Sequence, residues 1–136
     1  MTYPIAHVDG LDETDALALK RVGIRTTERL LDRAKSTRER KVLAELTGIS
    51  EQRLLAFANA CDYLRIKGMG RGYVGLLKAV GVSTVRELRY RKPANLAKTM
   101  AEANKKRKLV QLLPSEKVVA NWVERANKLQ LKISYK

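Results

Sequence analysis

The chain has one cysteine, one histidine and half as many acids as bases, and each shortage excludes something. Cys61 alone cannot form an internal disulfide, which fits a reducing compartment and a cytoplasmic location. His7 and Cys61 are too few for a zinc site, and the expected metal and cofactor complement is none. No apolar run is long enough to span a bilayer, so no membrane association is expected. The N-terminus, Met1 to Asp9, has neither a charged start nor an apolar core and predicts no secretory signal. There is no Gly-rich P-loop, no His-assisted nucleophile and no carboxylate pair at a useful spacing. A binding protein is expected, and not an enzyme.

What the chain does have is positive charge. Its 136 residues hold 28 Lys+Arg against 14 Asp+Glu, a formal net charge of +14 and a pI near 10.2. Such a field favours polyanions. The charge is also partitioned. Residues 1–32 carry four bases and six acids, and residues 33–136 carry the remaining 24 bases and eight acids, a net of +16. Hydrophobic residues make up 45% of the chain, enough for a packed core.

The chain also repeats itself. Leu19 to Leu30 aligns with Leu77 to Leu88 at an offset of 58, placing Gly23 on Gly81, Thr26 on Thr84 and, upstream, Gly10 on Gly68. Each copy reads as a helix, a left-handed Gly cap, an apolar residue, a Ser or Thr cap and a new helix. A second such unit follows each copy, capped at Ser50 after Gly48 and at Ser115 after Leu113-Pro114. The later copy is about seven residues longer, and Pro93 predicts that the insert is a helix. Apolar stripes through Leu54, Phe57, Ala58, Cys61 and Leu64, and through Val118, Val119, Trp122, Val123 and Ala126, have helical period. Cys61 and Trp122 are expected in the core. The expected fold is all-α: eight short helices in four hairpins, packed as two similar halves, 1–64 and 65–136, in one compact unit.

The sharpest local feature is Lys67-Gly68-Met69-Gly70-Arg71. Two glycines one residue apart allow a tight turn, with Gly70 expected where the backbone needs positive φ. The amides opening the next helix carry the positive end of its dipole and suit a phosphate. Gly68, Met69 and Gly70 are expected to supply amides, and Lys67, Arg71 and Lys78 charge. Arg86, Arg89, Arg91 and Lys92, with the run Lys105, Lys106, Arg107 and Lys108, extend the footprint. Met69 is the apolar tip, packing or brushing a sugar, and Tyr73 is a half-buried helix residue with its hydroxyl in water. In the first copy Asp12 replaces the second glycine, and Asp9, Glu13 and Asp15 crowd the turn. That hairpin is expected to be structural, its acids complementing a helix dipole.

Leu64 to Gly70, followed by Val74, Leu77, Gly81-Val82 and Thr84, resembles the helix-hairpin-helix motif of DNA repair proteins, ligases, polymerases and Holliday-junction proteins, which usually occurs in tandem pairs. A wider resemblance rests on Asp62 to Gly70, on Arg91 to Leu96, and on Pro114-Ser115 with Val119, Trp122 and Val123. These look like a family of small bacterial proteins of unknown function built from such hairpins. The resemblance implies a tandem helix-hairpin-helix fold and no particular activity. Non-sequence-specific DNA binding through the phosphate backbone is the favoured function. The alternative is a protein or ribonucleoprotein scaffold, with the acidic first hairpin as the docking surface for a protein partner. The sequence does not choose among duplex, single-stranded or junction DNA and RNA.

Overall fold

Among the described residues, six of the eight α-helices begin on a side-chain oxygen that accepts an amide hydrogen from the third residue of the helix, so their starts are written locally. The computed structural model describes residues 2–135. The helices are α1 Glu13–Arg21, α2 Thr27–Arg33, α3 Thr37–Thr47, α4 Glu51–Tyr63, α5 Arg71–Ala79, α6 Val85–Leu88, α7 Pro93–Arg107 and α8 Glu116–Lys128. Asp12, Thr26, Ser36, Ser50, Thr84 and Ser115 cap α1, α2, α3, α4, α6 and α8. Pro93 opens α7 at its first position, where the missing amide hydrogen costs nothing. Only α5, among the described residues, starts on a glycine, Gly70, with no side-chain cap. The protein is all-α: no strand forms among the described residues, and Pro4 and Thr26 make an isolated bridge.

Two helix ends repeat in hydrogen-bond detail. After α1, the Gly23 amide donates to Lys20 and the Ile24 amide to Leu19, at 3.0 Å each. After α5, the Gly81 amide donates to Lys78 at 3.1 Å and the Val82 amide to Leu77 at 2.9 Å. Both are Schellman ends, which need a left-handed residue, and both glycines have φ +85°.

The chain divides into two units. The first comprises residues 2–65 and 132–135. Its core is a cluster that includes Leu19, Ile24, Leu30, Leu43, Leu54 and Phe57, with Cys61 buried in it. Burial pushes the Cys61 thiol well above its ordinary range, so it is an inert packing residue. The C-terminal segment is fixed to this unit. The Ser134 amide donates to the Lys35 carbonyl at 2.7 Å, and the Tyr135 hydroxyl donates to Asn59 at 2.9 Å. Arg40, 4% exposed, donates to the carbonyls of Ala34 at 2.8 Å and Ser134 at 2.6 Å. A buried guanidinium is tolerable only with its donors satisfied.

The second unit is Ile66–Leu131. Its interior holds Met69, Leu76, Leu77, Leu88, Met100 and Trp122, all buried. Trp122 is 2% exposed and meets the Tyr73 ring at 5.2 Å between centroids, tilted by 52°.

Candidate nucleic-acid interface

The turn into α5 follows from one backbone requirement. Gly68 has φ +86°, a region open to glycine and strained for other residues. Gly70, expected to need positive φ, has φ −87° instead and is the N-cap of α5. The reason is positional. The chain turns at Gly68, the Met69 amide donates back to the Ile66 carbonyl at 3.1 Å, and by Gly70 the backbone is extended and feeds the helix. A side chain at Gly70 is therefore sterically allowed, since an added Cβ would meet nothing closer than the Tyr73 ring at 4.0 Å. Met69 is 2% exposed and packs inward, the first of the two roles expected of it, and so does not face a sugar.

Lys67 and Arg71 stand exposed on either side of this turn. The first turn of α5 contains no acid. Gly72 lies close under the segment after α7: a Cβ there would meet Val110 at 3.1 Å and the Leu109 carbonyl at 3.3 Å. That segment is pinned twice. The Asn104 side-chain amide both donates to the Val110 carbonyl at 2.9 Å and accepts its amide hydrogen at 3.1 Å. The Tyr73 hydroxyl, expected in water, donates to the Leu112 carbonyl at 2.9 Å. One edge of the α5 start is thus a fixed wall, and Lys67 and Arg71 supply the positive charge around the rest.

The start of α1 has the opposite chemistry. Gly10 repeats the left-handed turn at φ +86°. Asp12 then accepts the Asp15 amide at 2.8 Å, and Asp15 accepts the Asp12 amide at 3.2 Å, a reciprocal capping box. Asp15 is 4% exposed and takes a forked hydrogen bond from Arg53 through both guanidinium Nη atoms. Burial raises the Asp15 pKa, but the Arg53 hydrogen bonds and the Asp12 amide outweigh it and hold the carboxyl below its ordinary range. Carboxylates already occupy the place an anion would take.

The remaining expected contacts are dispersed over the second unit. Lys78 is exposed in the last turn of α5, seven residues after Arg71 and so about 10 Å along the axis from the amide end. There it complements the dipole and does not flank the turn. Arg86 is exposed on α6, and Arg91 and Lys92 are exposed between α6 and α7. Arg89, expected on the footprint, is half-buried: its Nε donates to the Ala126 carbonyl at 2.8 Å and its Nη2 to the Leu129 carbonyl. It braces α6 against the end of α8. Lys105, Lys106 and Arg107 are exposed in the last turn of α7, where cations are favoured by the dipole alone. Lys108 is exposed and left-handed at φ +50°, closing the helix with its amide on the Asn104 carbonyl at 2.8 Å.

Two residues escaped the sequence reading. Asn104 has no local signal, because its role appears only when the chain folds back six residues later. Tyr90 had one: it is an aromatic inside the basic run Arg86 to Lys92, and it is 79% exposed. Among the described residues no group of three or more His, Cys, Asp or Glu could hold a metal, and no helix is long and apolar enough to cross a membrane. His7 stacks on Tyr3 at 4.5 Å.

Fold and site together define an all-helical protein with a cationic, acid-free helix start. The chain belongs to the family described as a domain of unknown function (DUF4332), which matches residues 9–129. No curated protein and no solved structure matches it.

Proposed function

We propose that the protein binds DNA through its phosphate backbone, without reading base sequence, and that the start of α5 is its primary phosphate contact. The observation that carries this reading is the chemistry of that helix start. It has no side-chain cap and no acid in its first turn, and exposed Lys67 and Arg71 flank it. Helix amides and fixed cations together favour phosphate oxygens. In this reading the two units are tandem helix-hairpin-helix repeats. The first is structural and the second is the one that works. The protein acts in the cytoplasm as a binder and not as a catalyst.

Duplex binding over a salt series tests the proposal. Neutralising roughly four to six phosphates gives log K against log salt a slope of about −4 to −5. A flat response, or no binding at low salt, would sink it. A second reading, a protein-interaction scaffold, is favoured by the leucines exposed after α7. Leu112 is 76% exposed and Leu113 43%. Pull-down by a protein partner that survives high salt and is lost on Leu112→Asp would favour the scaffold.

A further inference from the structure

The second unit carries a surface feature away from the α5 start. Two adjoining cavities, of about 240 and 280 Å³, run along α7 and share Val80 and Thr99. The first is bordered by Tyr90, Arg91, Lys92 and Asn95, and the second by Glu102, Lys106 and Arg107. They form one trough beside α7, from Lys92 to Arg107, a length of about 22 Å at the helical rise per residue. Paired cations stand at each end, with a single acid between them. Tyr90 projects at one end as the most exposed large hydrophobic side chain of the described residues. Its backbone is held firmly. The neighbouring Arg89 is bonded to α8, and the Asn127 side chain donates to the Arg89 carbonyl at 3.3 Å.

We infer that this trough binds single-stranded nucleic acid, with the Tyr90 ring as the stacking platform for one base. An aromatic face in water beside cations recognises a base face together with phosphate, whatever the base. In an intact duplex the base faces are covered by their neighbours, so such a platform has nothing to stack on. Asn95 offers an amide within the same cavity as the ring. Arg91 and Lys92 at one end, and Lys106 and Arg107 at the other, follow the backbone. The length suits about four nucleotides, the low end of single-strand site sizes. The inference rests on the reading of this unit as a nucleic-acid binder, but it gives Arg91, Lys92, Lys106 and Arg107, expected on the duplex footprint, a different ligand, away from the α5 start.

The test uses the full chain, a labelled 20-nucleotide oligo-dT and a 20-base-pair duplex, with fluorescence polarisation at low salt. Tyr90→Ala is expected to weaken oligo-dT binding about tenfold and to leave duplex binding within about twofold. Tyr90→Phe should bind oligo-dT like the parent, because stacking needs the ring and not the hydroxyl. Tyr90→Leu should behave like the alanine variant. Circular dichroism of each variant confirms the fold, which an exposed side chain does not hold up. Equal oligo-dT binding by the parent and Tyr90→Ala overturns the inference, as does an equal loss on both probes. If Gly70→Asp abolishes duplex binding while Tyr90→Ala leaves oligo-dT binding untouched, this inference fails and the duplex reading stands. If the parent binds neither probe, both fail.

Discussion

The starts of α1 and α5 share a backbone and differ in what sits on it. Gly10 and Gly68 have the same φ of +86°, and Gly23 and Gly81 the same φ of +85°. Between those glycines lie α1 and α5, each nine residues long. Yet α1 opens on a capping box of two aspartates, one of them gripped by Arg53, and α5 opens on a bare glycine between cations. The same turn can bind its own carboxylate or leave the position to an anion from outside. The residue two places after the left-handed glycine decides which: Asp12 in one copy, Gly70 in the other.

The largest expected effect lies on the acidic side. Asp15→Ala removes half the capping box and the partner of Arg53. Arg53 is half in water, so the cost stays below that of breaking a fully buried pair, at about 2 kcal/mol of unfolding free energy. Denaturant melts check this. The same pair sets an acid limit. Because the folded Asp15 pKa is depressed, its contribution is complete above about pH 4 and is lost as the pH falls through the folded value. Asp15→Asn should flatten that part of the stability profile, and a parent whose melt is unchanged from pH 5 to 2 would refute the assignment.

Gly70→Asp turns the second hairpin into the first. Since Gly70 is an N-cap with extended φ, aspartate is a good residue there for the helix and a bad one for a bound phosphate. Duplex affinity should fall at least about tenfold, a loss of roughly 1.4 kcal/mol, while the melting temperature holds or rises. The reciprocal Asp12→Gly should bind DNA as well as the parent or better. Affinity and stability falling together in Gly70→Asp would mean that the residue is structural. The smallest effect concerns the end of α7. Lys108→Gly relieves a left-handed lysine and should stabilise the second unit by up to about 1 kcal/mol, read by thermal melts, with one unit of charge lost.

Local grammar was legible in the sequence. Thr26, Thr84, Ser50 and Ser115 cap the helices expected of them, Gly48 ends α3 with φ +78°, and Pro93 opens a 15-residue helix. Each depends on neighbours within four positions. The Gly-Met-Gly turn was read correctly as a turn, but its two glycines were not told apart, because pattern gives no dihedral angle. What stayed hidden is long-range. The grip of Arg53 on Asp15 spans 38 positions, and the brace from Arg89 to Ala126 spans 37. The charge count could place Arg89 in a basic run. It could not show that the carbonyls of Ala126 in α8 and Leu129 just after it had already claimed its donors.

The hydrogen bond from Arg40 to Ser134 joins residues 94 positions apart, with the whole second unit between them. Synthesis therefore delivers the first unit in two instalments. When the helices α1 to α4 have left the ribosome, the buried guanidinium has the Ala34 carbonyl but still waits for that of Ser134, and the Asn59 side chain for the Tyr135 hydroxyl. Ile66–Leu131 is complete before either arrives, so the second unit can finish folding while the first is still open. The order of translation and the order of completion are reversed. Residues made after the second unit close the unit that was begun first.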